Sequence, residues 1–285
     1  MTMKRFGTPF LTIVLITALM LAGPAMAKDY KSIKIATEGA YAPYNFKDAG
    51  GNLVGFEIDL AADLCKRMGT ECTVVEQAWD GIIPTLVAGK YDAIMAGMSI
   101  KAKREKVISF SRYYCATPIL FTVLKTSPLA GFKTKLESMT LDKVNAEEKA
   151  TLEQMRKAFK GKSIGVQVST THEDFMIKMM PELEIKSYDK MDNMILDLIA
   201  GRIDIGLTSL TFLSPLMKKP AGKKLQLIGP TMTKGPFGRG VAVGIRQEDV
   251  KLREMFSKAI DEAIADGTMS KLAIQWFGFD NSAKK

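Results

Sequence analysis

The chain has 285 residues, with 40 Lys and Arg against 31 Asp and Glu, a single His and a formal charge of +9. The charges are mixed along the sequence, and no basic stretch is interleaved with aromatics, which argues against a nucleic-acid surface. Three cysteines and one histidine offer no second pair of metal ligands, so no metal centre is expected.

The N-terminus reads as an export signal. Lys4 and Arg5 precede an apolar run from Phe10 to Leu21, and Ala25-Met26-Ala27 forms a small-x-small cleavage site. The run is short for a membrane span, which needs about 20 residues. No cysteine follows it for lipid anchoring, and no later segment is apolar enough to span a bilayer. Removing residues 1–27 takes away two basic and no acidic residues, leaving 38 against 31 and a charge of +7. The expectation is a chain without cofactor, soluble outside the cytoplasm.

Ile33 to Thr37 reads as a strand and Phe56 to Met68 as a helix, with Phe56, Leu60, Leu64 and Met68 on one face. Strand Cys72 to Glu76, helix Asp80 to Ala88 and strand Tyr91 to Met95 follow, with Asp80 as N-cap and Gly89 ending the helix. Cys65 and Cys72 lie seven apart, and in an oxidising compartment they read as a disulfide. A metal pair is the rival and lacks partners. Cys115 is left over in the apolar context Tyr113-Tyr114-Cys115-Ala116, as a buried thiol.

The stretch Ala96-Gly97-Met98-Ser99, followed by Arg104, carries the first chemical signal. Small residues after a strand leave backbone N–H groups free, Ser99 adds a hydroxyl, and Arg104 supplies a planar fork. Together these suit a carboxylate, and a basic loop on a globular surface is the equal alternative for the stretch read alone.

A polar, helix-prone segment covers 129–162, with its best helix at Leu152 to Phe159. The first plan then repeats: strand Ser163 to Gln167, helix Thr171 to Met180, strand Glu184 to Ser187, helix Asp192 to Ala200 and strand Arg202 to Leu207. Leu86-Val87-Ala88-Gly89-Lys90-Tyr91-Asp92 echoes Leu198-Ile199-Ala200-Gly201-Arg202-Ile203-Asp204. Strand–helix alternation implies sheets covered by helices, with ligands beyond the carboxyl ends of the strands. Two facing sheets would enclose a cleft, with Glu38 and Ala96 to Ser99 on one side and Gln167 to His172 on the other. After Gly229-Pro230 come strand Gly240 to Ile245, helix Glu248 to Ala265 and a short helix ending at Trp276-Phe277-Gly278. This tail is expected to return to the first half.

These motifs resemble the periplasmic solute-binding proteins of amino-acid ABC importers, those taking lysine, arginine, ornithine and histidine. The resemblance rests on Gly55-Phe56-Glu57-Ile58-Asp59-Leu60, Asp92-Ala93-Ile94 with Ser99-Ile100 and Arg104, Asp266-Gly267-Thr268 with Trp276-Phe277, and the Cys65/Cys72 pair. Glu38 to Phe46, Glu76 to Pro84 and the inserted segment look most like the octopine- and nopaline-binding branch. The resemblance implies an α/β fold of two lobes, each a mostly parallel sheet flanked by helices, joined by a two-strand hinge. The lobes would be 28–117, 118–230 and a return over 231–285. It implies a monomer that delivers its ligand to a membrane permease.

The family pattern also implies roles. Arg104 holds the ligand's α-carboxylate, helped by Thr170 and Thr171 with Ser169 beside them in the lining, and Glu38 faces a cationic side chain sandwiched by Tyr41 and Trp79. In ordinary amino-acid binders an aspartate takes the α-ammonium, and that position here is Ser209. Ala96 and Gly97 stand where those binders carry serines. A roomier, less negative pocket suits an arginine joined at its α-nitrogen to a carboxylated arm, and Ser99 favours the short arm of octopine. Met98 and Gln167 complete the expected lining. Gln167 reads equally as a strand-end residue satisfying backbone groups. His172 reads either as an exposed helix-start residue or as a group beside the second carboxylate. The rival class is a secreted dehydratase on cyclohexadienyl acids, which shares this fold and would use Glu173 as its acid.

Overall fold

The computed structural model describes residue 2 and residues 30–284, so the export signal and its cleavage site lie outside it. The first lobe opens with β1 (Ser32–Thr37), then β2 (Ala40–Tyr41), β3 (Asn45–Lys47) and β4 (Leu53–Val54), which form a small antiparallel sheet. Helix α1 (Phe56–Met68) buries Phe56, Leu60, Ala61 and Leu64 and ends on Gly69 in the left-handed conformation. β5 (Glu71–Glu76), α2 (Ile82–Val87), β6 (Ala93–Ile94), α3 (Ala102–Glu105) and β7 (Ile108–Cys115) follow.

The chain then crosses through 116–118 into β8 (Ile119–Leu124), β9 (Ser138–Thr140) and α4 (Ala146–Phe159). α4 begins earlier than the expected Leu152, because Asn145 and Glu148 form a reciprocal capping box. β10 (Ser163–Gln167), α5 (Thr171–Met179), β11 (Glu184–Tyr188), α6 (Met191–Ile199), β12 (Ile205–Ser209), α7 (Leu210–Lys218) and β13 (Leu225–Thr233) complete the second lobe. A second crossing, 234–240, leads back to β14 (Val241–Arg246), α8 (Val250–Ala265) and α9 (Thr268–Phe277).

The strands form two larger sheets, ordered β5-β1-β6-β14-β7 and β11-β10-β12-β8-β13-β9. Both are mixed rather than mostly parallel. β5, β1 and β6 run parallel, as do β11, β10 and β12, but β14 is antiparallel to β6 and β7, and β8 to β12 and β13. A strand entering from the other lobe arrives without the helical crossover that a βαβ unit requires, so nothing forces it parallel.

The echo between the halves has a common physical basis. Asp92 accepts from the Lys34 N–H at 3.0 Å, and Asp204 accepts from the Ser163 N–H at 2.9 Å. In each lobe a carboxylate after a short helix satisfies a backbone donor on the neighbouring strand, β1 or β10. Asp80, in contrast, does not cap α2. Gly81 holds the N-cap position with φ 104°, and Asp80 instead accepts from the Ser169 hydroxyl at 3.1 Å.

Helices α1, α8 and α9 share one apolar core around Phe56, Phe256 and Phe277. That core continues into the second lobe through Tyr41, whose ring stacks on Phe212 at 5.4 Å. Cys65 and Cys72 are bonded across the end of α1 and the start of β5, and Cys115 is buried with its thiol pushed upward by desolvation. Thiol counting on denatured, unreduced protein is expected to find one reactive thiol per chain. Three would break the pairing.

Candidate functional site

The carboxyl ends of β1 and β6 face those of β10 and β12 across a cleft. Glu38, Tyr41, Trp79, Ala96, Gly97, Ser99 and Arg104 line one side, and Gln167, Thr170, Thr171, His172 and Ser209 the other. Thr117 and Ile119 complete the lining from the first crossing. Neither carries a chemical signature in the sequence. Thr117-Pro118 breaks the run from Cys115 into the apolar strand at Ile119, and that break was the available signal. Two expected members fall outside the lining. The Met98 side chain is fully buried in the core beneath, and Ser169 sits beside Asp80 with φ 59°.

Arg104 lies on the short α3 and is almost fully buried. It donates to the Ser99 carbonyl at 2.9 Å and, across the cleft, to the Ser169 carbonyl at 3.3 Å. Its guanidinium carbon stands 5.1 Å from the centroid of the Trp79 ring. Burial lowers its pKa to about 10, which leaves it charged at neutral pH. The two carbonyls and the indole fix the plane of the fork, and among the described residues the remaining N–H groups have no hydrogen-bond partner.

Glu38 follows β1 directly and is 5% exposed. Burial pushes its pKa up to about 7, against the lowering effect of the Gln167 amide, which donates to it at 2.7 Å. Gln167 ends β10 and also donates to the Asp189 carbonyl at 3.1 Å. Its strand-end position therefore serves both a backbone group and a cleft carboxylate.

The second-lobe wall is built from helix starts. Thr170 caps α5, accepting from the Glu173 N–H and donating to the Gln167 carbonyl at 2.6 Å. Ser209 caps α7, and its hydroxyl meets those of Tyr41 and Thr211, each at 2.8 Å. Helix N-termini present unpaired N–H groups and a positive end, which suits an anion. His172 is buried rather than exposed, with both ring nitrogens unpartnered, and burial beside Arg104 and Lys101 lowers its pKa to about 3. It is a neutral imidazole.

Further contacts join the lobes beside the cleft. Lys101 pairs with Asp174, and the Ser169 hydroxyl reaches Asp80. Glu173 lies outside the lining, accepting from the Ser169 N–H at 2.7 Å and the Ser187 hydroxyl at 2.6 Å. The expectation of free N–H groups after β6 fails at Gly97, whose N–H is taken by Glu57 at 2.7 Å.

The family model described as bacterial extracellular solute-binding proteins, family 3, matches residues 33–279. The octopine-binding periplasmic protein of Rhizobium meliloti is 38% identical over 288 residues, covering 94% of this chain and 97% of that protein. The histidine-binding periplasmic protein of Escherichia coli (strain K12) is 39% identical over 274 residues, covering 95% and 96%. Among solved structures, a periplasmic His/Glu/Gln/Arg/opine family-binding protein from Silicibacter pomeroyi in complex with lysine is 28% identical. It superposes with a TM-score of 0.70 over 89% of this chain and 100% of that one.

Proposed function

The chain belongs to family 3 of the bacterial extracellular solute-binding proteins, and from that premise we propose that it captures an arginine-derived opine in the periplasm and hands it to the membrane permease of an ABC importer. The ligand's carboxylate sits on the Arg104 fork and the start of α5. Its guanidinium lies against Glu38 between Tyr41 and Trp79. The named relatives above are binding proteins, and Glu173, the acid a dehydratase would use, lies outside the lining.

Charge balance in the lining carries the choice of ligand. Among the lining residues Arg104 is the one cation and Glu38 the one carboxylate, while His172 is neutral and Ser209 offers a hydroxyl. A basic amino acid brings one anion and two cations, which leaves an ammonium without a countercharge in a desolvated space. An opine adds a second carboxylate, and site and ligand are then each neutral. The unpartnered His172 ring faces that carboxylate.

The deciding experiment is calorimetry on ligand-stripped protein against octopine, nopaline, arginine, lysine, ornithine and histidine. Octopine is expected to bind tightest. Arginine or histidine binding tighter than octopine overturns the opine reading in favour of a basic amino acid. Nopaline matching octopine removes only the role given to Ser99, and Ser99→Gly is then near neutral for both.

The lobes, 30–115 with 241–284 and 119–233, hinge at the two crossings and close on the ligand; β13 runs on to Thr233 in the second-lobe sheet, so the second boundary falls after 233 rather than at 230. Contacts across the cleft, Gln167 to Glu38 and Tyr41 to Ser209, belong to the closed form. Small-angle scattering is expected to show a smaller radius of gyration with saturating octopine. An unchanged radius counts against closure.

A further inference from the structure

The motif Gly55-Phe56-Glu57 takes no direct part in the site above, yet it stands at its foundation. Gly55 precedes α1 with φ 131°, and a Cβ there would lie 2.5 Å from the Tyr44 carbonyl oxygen. Without a side chain at Gly55, the Pro43 and Tyr44 carbonyls approach the helix start and accept from the Phe56 and Glu57 N–H groups, each at 2.8 Å. The segment carrying Tyr41 is thereby docked onto the first turn of α1.

The Glu57 carboxylate is fully enclosed, and two of the three donors around it lead towards the cleft. Its Oε1 accepts from the Gly97 N–H at 2.7 Å and from the Tyr114 hydroxyl. Its Oε2 accepts from the Asn45 Nδ2 at 2.7 Å, and the Asn45 Oδ1 in turn accepts from the Gly39 N–H at 2.8 Å. Gly39 is the residue after Glu38, and Gly97 lies two before Ser99. The two segments also touch each other: a Cβ on Gly97 would stand 3.0 Å from the Tyr41 ring.

We infer that Glu57 is a positioning residue for the cleft, a buried carboxylate that fixes the Glu38–Tyr41 and Ala96–Ser99 segments to each other and to α1. The inference rests on the site assigned above, although none of the groups in this hydrogen-bond chain needs the ligand as a partner. One branch, through Gly97, sets the wall next to Tyr41. The other, through Asn45, sets the backbone beside Glu38. A carboxylate suits this place because it accepts on both oxygens and donates on neither. A glutamine would turn an N–H₂ group toward the Asn45 N–H₂ and break the second branch alone.

That asymmetry gives the test. Glu57→Gln is expected to speed amide hydrogen exchange at Gly39 in the ligand-free protein and to leave Gly97 protected. It should weaken octopine and arginine by about tenfold, the effect of one buried donor left without its acceptor. Adding Asn45→Asp restores the pairing with its polarity reversed, since an aspartate accepts from both the side-chain amide introduced at position 57 and the Gly39 N–H. The double variant N45D/E57Q is expected to recover Gly39 protection and most of the affinity. Unchanged exchange at Gly39 in Glu57→Gln overturns the inference, and so does a double variant that regains thermal stability without protection or affinity. If the parent protein binds neither octopine nor arginine, the functional reading falls, while the exchange measurement still decides the role of Glu57.

Discussion

Arg104→Ala is expected to lower affinity for octopine, or for whichever carboxylate ligand binds tightest, from about thirty-fold to more than a thousand-fold. That corresponds to about 2–5 kcal/mol, the range found when one partner of a buried charge pair is truncated. The loss is large because the fork is desolvated and pre-set: Ser99 and Ser169 hold it from either side of the cleft and Trp79 holds it by its face. Alanine leaves the ligand carboxylate with only the α5 start and nearby hydroxyls. Arg104→Lys keeps the charge without the planar fork and belongs between parent and alanine. Calorimetry gives the affinities, and chemical denaturation of the same samples separates loss of the site from loss of the fold. Parent-like binding by Arg104→Ala would remove the carboxylate assignment.

A comparably large effect is expected from pH, acting through Glu38. Burial in the closed cleft places its pKa about 7, and a guanidinium is held by the ionised form alone. Affinity for arginine-derived ligands therefore rises with pH up to about 7.5. Between pH 7.5 and 5.5 it falls roughly 25-fold, close to tenfold per unit below the pKa. Glu38→Gln abolishes this slope and weakens cationic ligands more than ligands without a cationic tail. Stability runs the other way. A carboxyl pKa raised by folding means that the native state binds the extra proton between about pH 4.5 and 7. The contribution of Glu38 is fully present below that window and lost as pH rises through it, on the order of 3 kcal/mol at the upper end. Ligand-free Glu38→Gln should thus resist denaturant better than the parent at pH 8. A pH-independent affinity in the parent would sink the role given to this carboxylate.

Much of the fold was legible because the apolar spacing is regular where elements pack on one face. Phe56, Leu60 and Leu64 mark α1, and the Leu-x-Ala-Gly echo marks two equivalent helix ends. Strand direction was not legible: β8 and β14 are predominantly apolar and buried, and nothing in such a run tells parallel from antiparallel. The site was readable where one residue carries distinctive chemistry, as with Arg104, Glu38 and Trp79. It was unreadable where backbone direction decides. The Gly97 N–H turns inward to a carboxylate forty positions earlier, and Asp80 was passed over as cap in favour of Gly81. Thr117 and Ile119 enter the lining only because the chain changes lobes there.

The sheet order of the first lobe bears on how the chain acquires its shape. β14, residues 241–246, sits between β6 and β7, whose residues come from 93–115. A chain delivered from its N-terminus thus reaches residue 115 with a slot in the middle of its sheet, and the strand for that slot arrives more than a hundred residues later. Until then the facing edges of β6 and β7 lack their backbone partner, and α1 lacks α8 and α9, which close its core. The first lobe cannot finish before the second has been laid down. Completion of the fold is a late, nearly whole-chain event, and a chain halted anywhere before about residue 246 stays unfinished and open to unfolding factors.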